Sequence, residues 1–111
     1  MYLEDQRVTP CIDATLACYR ACLGMVSTYG VGINEPVAEL LRQCATTCRD
    51  VADQLIVASS HATVELTNCA VVSDRCAEAC EKADGLEECA AVCRWCATAC
   101  RELSELVSKS G

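Results

Sequence analysis

Cysteine and aliphatic residues recur along this chain at the spacing of one face of an α-helix. Its twelve cysteines fall into four groups, and within a group consecutive cysteines are three, four or seven residues apart. Charged residues such as Arg20, Glu78 and Arg94 lie off this stripe. Such separations keep side chains on one helical face, whereas a strand requires a separation of two. The pattern therefore predicts an all-α protein with four helices. They are expected at about residues 10–29, 35–57, 60–83 and 85–108.

Short links join the predicted helices and carry signals for where a helix starts. Thr9 is expected to cap the first helix, with Pro10 at its first position. Asn34, followed by Pro36, opens the second helix in a similar way. Short links force successive helices to run antiparallel. We therefore expect an up-down-up-down four-helix bundle with a cysteine-lined core, forming one domain over residues 1–111.

The sequence also contains an internal repeat. The three cysteines of the first predicted helix have the same spacing as those of the third, and residues 44–50 closely match residues 96–102. We interpret the bundle as two duplicated helical hairpins.

Composition indicates what fills the bundle and which partners are excluded. Of 111 residues, 52% are hydrophobic, yet Phe is absent and there is one Trp. The core is therefore expected to consist of small side chains and sulfur. The net charge of −7 leaves no basic surface for nucleic acid. The longest uncharged stretch, residues 21–34, is too short and too rich in glycine to span a bilayer. Neither nucleic acid nor a membrane is an expected partner.

The cellular compartment decides whether the cysteines are crosslinks or free thiols, since short cysteine-rich chains are typically secreted and disulfide-bonded. The first ten residues carry Glu4 and Asp5 where a leader has basic residues, and no apolar run follows. We therefore expect a cytosolic protein with reduced thiols. A CxxxC pair on one helix also places its Cβ atoms about 5–6 Å apart, farther than the roughly 3.5–4.5 Å of a disulfide. Disulfides between helices stay open as an alternative.

Among metals, Cu(I) fits twelve inward-facing thiols best. It is soft, prefers thiolate and accepts two or three ligands. Each Cu(I) that replaces a thiol proton leaves a neutral Cu–S unit, so many ions can enter an apolar core without accumulating charge. Four thiolates around Zn(II) would instead leave two negative charges. We expect a capacity on the order of a dozen ions per chain. The candidate ligands are Cys11, Cys18, Cys22, Cys44, Cys48, Cys69, Cys76, Cys80, Cys89, Cys93, Cys96 and Cys100.

Five CxxxC pairs carry a resemblance to a known family. The pairs are Cys18/Cys22, Cys44/Cys48, Cys76/Cys80, Cys89/Cys93 and Cys96/Cys100. Together they resemble the cytosolic branch of the bacterial copper storage proteins, which are cysteine-rich four-helix bundles. The resemblance extends from Cys11 to about Leu106. It implies Cu(I) held by thiolates inside the bundle, storage or detoxification rather than catalysis, and a homo-oligomer, often a tetramer. This chain has fewer cysteines than the richer members, which puts their full capacity in doubt.

The resemblance also implies ligands other than cysteine at the open end of the bundle. His61 is the only histidine, and Glu65 and Asn68 follow it on the third predicted helix. We expect His61, with Glu65 or Asn68, to form the mouth through which copper enters, and a solvated histidine is the alternative. Met25 extends the cysteine stripe of the first helix, either as a soft ligand or as a core-filling side chain.

These observations predict a cytosolic protein of copper homeostasis that stores Cu(I) and exchanges it with a copper chaperone or a low-molecular-weight thiol. A lone histidine, without a serine triad or a phosphate-binding glycine loop, offers no catalytic arrangement, so no enzyme is expected. Two alternatives stay open. One is a thiol redox or electron-transfer protein with a disulfide or an iron–sulfur cluster, and the other is a zinc-buffering protein.

Overall fold

The computed structural model describes residues 5–29, 33–59 and 62–110, and within these ranges the chain is helical without strands. The helices are α1 (Asp5–Tyr29), α2 (Glu35–Ile56), α3 (Ala62–Glu81) and α4 (Glu87–Ser110). The prediction of an all-α, four-helix protein is confirmed.

Each helix packs chiefly against two others, so that the four helices stand at the corners of a square. α1 and α3 both contact α2 and α4. The Sγ atom of Cys11 lies 3.8 Å from that of Cys100, and the Sγ atom of Cys22 lies 3.8 Å from that of Cys89. Residue numbers therefore rise along α1 while they fall along α4, which makes the two helices antiparallel. The result is an up-down-up-down bundle measuring 44 × 21 × 20 Å.

The predicted starts of α1, α3 and α4 are wrong. α1 begins at Asp5 rather than at residue 10, and Pro10 lies inside it as the sixth residue. Proline lacks the N–H that would bond the carbonyl of Gln6, so this backbone hydrogen bond is missing from α1. α4 begins at Glu87 rather than at residue 85, because Gly85 has a φ of +86° and belongs to the preceding turn. Glycine adopts this left-handed conformation without the steric cost of a Cβ.

The end of α1 at residue 29 and the start of α2 at residue 35 agree with the prediction, and the other boundaries differ by one or two residues. α2 ends at residue 56 instead of 57, α3 spans 62–81 instead of 60–83, and α4 ends at 110 instead of 108. The division into two duplicated hairpins stays a sequence prediction.

Both ends of α2 are capped by hydrogen bonds. The side-chain oxygen of Asn34 accepts a hydrogen bond from the backbone N–H of Val37 at 3.1 Å, as expected of an N-cap. At the other end Ala58 has a φ of 55°, and the N–H of Ser59 donates to the carbonyl of Gln54 at 2.9 Å. This is a Schellman ending, built on alanine where glycine is usual.

Small aliphatic side chains and sulfur fill the core, as predicted. Every cysteine is at most 2% exposed. Leu66 and Leu103 are buried at the end of the bundle where α1 starts, and Leu41 and Leu86 are buried toward the end that carries the α3–α4 turn. The sulfur-rich middle of the bundle is thus closed by aliphatic side chains at both ends.

Charged side chains lie on the outer surface. Arg94 of α4 pairs with Asp74 at 3.0 Å and with Glu81 at 2.9 Å, both on α3, and Arg101 also pairs with Asp74. Exposed pairs of this kind contribute little to stability. In the described part of the chain no helix is both long and apolar enough to cross a membrane.

The cap of α2 gives a test of the fold. Replacing the capping residue, Asn34→Ala, leaves the N–H of Val37 without its side-chain acceptor. We expect the free energy of unfolding of the metal-free protein to fall by about 1 kcal/mol. The melting temperature should fall by about 4–8 °C. Thermal unfolding followed by far-UV circular dichroism measures both quantities. The control Asn34→Asp keeps an acceptor oxygen, so equal losses in the two variants would show that the cap does not stabilise α2.

Candidate metal centre

The cysteine sulfurs form a continuous column along the axis of the bundle. Near its centre, the Sγ atom of Cys18 on α1 lies 3.5 Å from that of Cys44 on α2 and 3.6 Å from that of Cys93 on α4. The diagonal between α1 and α3 is bridged as well, since the Sγ atoms of Cys22 and Cys76 lie 4.0 Å apart. All four helices therefore supply sulfur to one interior.

The second half of the column continues toward the start of α1. The Sγ atom of Cys48 lies 3.8 Å from that of Cys69 and 3.6 Å from that of Cys96, which bridges the other diagonal, between α2 and α4. Cys100 then connects this group to Cys11. The contacts thus run without a break from one end of the column to the other.

The column occupies the middle of the bundle because of how the cysteines are spaced. On α1, α3 and α4 the first and last cysteines are eleven residues apart. At a rise of 1.5 Å per residue this is about 17 Å. The 44 Å bundle therefore extends beyond the sulfurs at both ends.

Three groups of thiols are close enough to share a metal ion. In each group every sulfur lies within 4.8 Å of the others. The groups are Cys18, Cys22, Cys44 and Cys93; Cys18, Cys48 and Cys96; and Cys69, Cys96 and Cys100. Because Cys18 and Cys96 each belong to two groups, the groups are linked rather than separate. This arrangement suits a soft cation that accepts few ligands and shares sulfurs with its neighbours.

The pKa of most of these thiols is raised above that of a free cysteine. Hydrogen bonding with Cys18 is the largest cause that raises the pKa of Cys22, and burial adds to it. For Cys80 the interaction with Cys76 lowers the pKa, but hydrogen bonding with Cys89, burial and neighbouring sulfurs outweigh it and raise the pKa to about 12. The pKa is also raised at Cys18, Cys48, Cys76, Cys93 and Cys100.

A few sulfurs have a lowered pKa because of neighbouring thiols. The largest cause is the interaction with Cys18 for Cys44 and the interaction with Cys100 for Cys96. Donated hydrogen bonds favour the charged thiolate, while burial opposes it. A metal ion that binds at the thiols with a raised pKa must displace their protons, so metal binding there is coupled to proton release.

Sequence reasoning missed Ser73, a residue in the sulfur column that is not a cysteine. Ser73 is 0% exposed, and its hydroxyl donates to the Sγ atom of Cys96 at 3.4 Å. Its Oγ atom also lies 3.8 Å from the sulfurs of Cys44 and Cys48 and 3.9 Å from that of Cys69. On α4 the four cysteines are spaced by four, three and four residues. The same spacing counted from Cys69 on α3 gives positions 73, 76 and 80, so position 73 belongs to the cysteine stripe.

Thr15 occupies the corresponding position on α1 and is also 0% exposed. Its hydroxyl points elsewhere, because it donates to the backbone carbonyls of Cys11 at 2.9 Å and Ile12 at 3.0 Å. Among the described residues, Thr15 and Ser73 are the buried polar side chains, and no Lys or Arg is buried. The column therefore has no positive side chain to balance a charge.

The four predicted ligands other than cysteine lie in different surroundings or outside the described residues. His61 lies outside the described residues. Glu65 is half-buried in the first turn of α3 and is not part of the three thiol groups, and Asn68 is exposed. Met25 is half-buried and packs against the core. The roles of these four residues in metal binding stay predictions.

Comparison with known proteins agrees with this geometry. Residues 4–105 match the family model described as copper storage protein. The Nmul_A1745 protein from Nitrosospira multiformis superposes with a TM-score of 0.88 and 33% sequence identity, over 93% of this chain and 99% of that one. The Cu(I)-bound copper storage protein BsCsp3 superposes with a TM-score of 0.81 and 25% identity, over 88% of this chain and 98% of that one. A search of curated proteins gives no significant match.

Burial predicts how the thiols react. In the folded, reduced, metal-free protein we expect reaction with the disulfide reagent DTNB to be slow, because the reaction needs an accessible thiolate and each cysteine is at most 2% exposed. After addition of denaturant, all twelve should react rapidly. The absorbance of released thionitrobenzoate counts them. If several thiols react as fast in the folded protein as in the denatured one, the buried column is incorrect.

Proposed function

The chain belongs to the copper storage protein family, and on that premise we propose that it takes up Cu(I) as cargo and holds many ions along its sulfur column. One observation carries the proposal: twelve free, buried thiols from all four helices meet in a continuous column. A single metal site would need only three or four of them.

In this proposal all twelve cysteines are copper ligands, with each ion bound by the two or three sulfurs that lie nearest to it. Cu(I) prefers thiolate and low coordination numbers. Neighbouring sulfurs in the column come as close as 3.5 Å. A sulfur such as Cys18 or Cys96, which belongs to two groups, then bridges two ions. Bridging lets the number of ions approach the number of thiols.

Charge balance favours a monovalent cargo over zinc. The group of Cys18, Cys22, Cys44 and Cys93 has the four ligands that Zn(II) prefers. Four thiolates around one Zn(II) leave two negative charges, however, and no buried Lys or Arg is present among the described residues to balance them. A Cu(I) ion that replaces one proton leaves the charge unchanged, which an apolar interior tolerates.

We further propose that copper enters and leaves by thiolate exchange. A copper chaperone or a low-molecular-weight thiol would hand the ion to a sulfur of the column, and the closely spaced sulfurs allow it to pass from one to the next. Twelve free thiols are suited to the reducing conditions of the cytoplasm, where we place the protein. We infer a homo-oligomer, for which Trp95, 49% exposed, is a candidate contact, and we infer no catalytic role.

Metal titration tests the storage proposal. Titrating the reduced protein with Cu(I) under anaerobic conditions should give a thiolate charge-transfer absorbance that rises until about a dozen ions are bound per chain. Mass spectrometry under native conditions gives the number directly. Zn(II) in excess should not displace the bound copper. Saturation at one or two ions, or displacement by Zn(II), would contradict storage and support a redox or zinc-buffering role.

The proposed mouth for copper is tested separately. We expect His61→Ala to slow the loading of copper without changing the final number of ions, because the imidazole would act as a transient ligand and the column itself is unaltered. Stopped-flow measurement of the charge-transfer absorbance gives the rate. Thr67→Ala, a change at an exposed residue of α3, serves as the control. Equal loading rates in the wild type and both variants would contradict a role for His61.

A further inference from the structure

We propose that Ser73 is a positioning residue for the stored copper, whose hydroxyl donates a hydrogen bond to the copper-bound sulfur of Cys96 and holds the ions at that level of the column more tightly. The inference rests on the proposed function, since it concerns the same sulfurs and the same cargo.

The position of Ser73 is the first argument. Its Oγ atom contacts sulfurs from three helices, with Cys96 nearest at 3.4 Å. The hydroxyl is fully buried, away from water. If the hydroxyl made no hydrogen bond, burying serine at this position would cost free energy compared with alanine. Contact with sulfur gives the hydroxyl an acceptor, and that acceptor becomes stronger once the thiol is a metal-bound thiolate.

The chemistry of the hydroxyl is the second argument. Oxygen is a hard ligand that Cu(I) does not prefer, so Ser73 stays available as a donor when copper fills the column. A sulfur that gives up its proton to copper becomes a thiolate, which accepts a hydrogen bond but can no longer donate one. Among the described residues, Ser73 is the buried hydroxyl that faces sulfur, and Lys and Arg are absent from the interior. Hydrogen bonds to ligand atoms tune how firmly a metal is held.

Thr15 supplies the comparison within the same molecule. It holds the corresponding place in the cysteine stripe of α1, yet its hydroxyl donates to the backbone carbonyl of Cys11. Serine in a helix readily makes the same backbone contact. Ser73 points its hydroxyl to sulfur instead, so its orientation is a property of this site rather than of the helix.

Release of copper from Ser73→Ala tests the inference. The variant keeps all twelve thiols, so it should bind the same number of Cu(I) ions as the wild type. When loaded protein is mixed anaerobically with the Cu(I) chelator bathocuproine disulfonate, the most slowly released ions should leave about tenfold faster than in the wild type, as expected for the loss of a hydrogen bond to a charged acceptor. Circular dichroism of the metal-free variant checks that the fold is intact.

Two further variants make the result specific. Thr15→Val removes the hydroxyl that faces the backbone and keeps the shape of the side chain, so copper should leave it at the wild-type rate. Ser73→Cys places a thirteenth thiol at the same point and should bind additional copper. If Ser73→Cys binds no more than the wild type, position 73 does not face the cargo and the inference is overturned.

The wild-type titration separates the two proposals. If the wild type binds only one or two ions, the storage function fails and this inference falls with it. If the wild type binds about a dozen ions and Ser73→Ala releases them at the wild-type rate, storage stands and the role of Ser73 alone is overturned. Faster release from Thr15→Val, equal to that from Ser73→Ala, would overturn it as well, because the effect would then not depend on contact with sulfur.

Discussion

The structure depends on enclosing twelve polarisable sulfurs in an apolar bundle. Each sulfur is shielded from water, and no buried cation lies near it among the described residues. Charge is expensive in such an interior, so a cation is tolerated only if it replaces a proton of the same charge. Three features keep charge out of the interior. The cysteines recur on the inner face of each helix, the other core residues are small and apolar, and the ion pairs lie on the outer surface.

Buried leucines on both sides of the sulfur column hold the four helices together. Leu66 and Leu103 at one end and Leu41 and Leu86 toward the other are buried leucines that pack across the helices. Burial of such side chains contributes on the order of 2 kcal/mol each. The sulfurs in between come as close as 3.5 Å to one another. The leucine contacts stabilise the bundle without involving the sulfurs, whereas small zinc domains fold only around their ion.

The sequence predicts the four helices and the burial of the cysteines because both follow from one periodicity, which tertiary packing reinforces. It does not predict the start of α1, since proline is favoured in the first turn of a helix, whereas Pro10 lies inside α1 as the sixth residue. The positions of the cysteines alone do not indicate a role for Ser73. Even with the stripe position known, Thr15 and Ser73 show that the direction of a buried hydroxyl depends on its surroundings. The mouth at His61 stays a prediction of the sequence.

Because two sulfurs each belong to two groups, the candidate metal sites along the column are linked to one another and are not independent. Cys18 joins the group around Cys44 to the group around Cys48, and Cys96 joins the latter to Cys100. If copper binds along the column as proposed, an ion at a shared sulfur changes the ligands that remain for its neighbour, so coupling between nearest neighbours governs how the column fills. The number of ions held is then a property of the whole column and cannot be divided among individual cysteines.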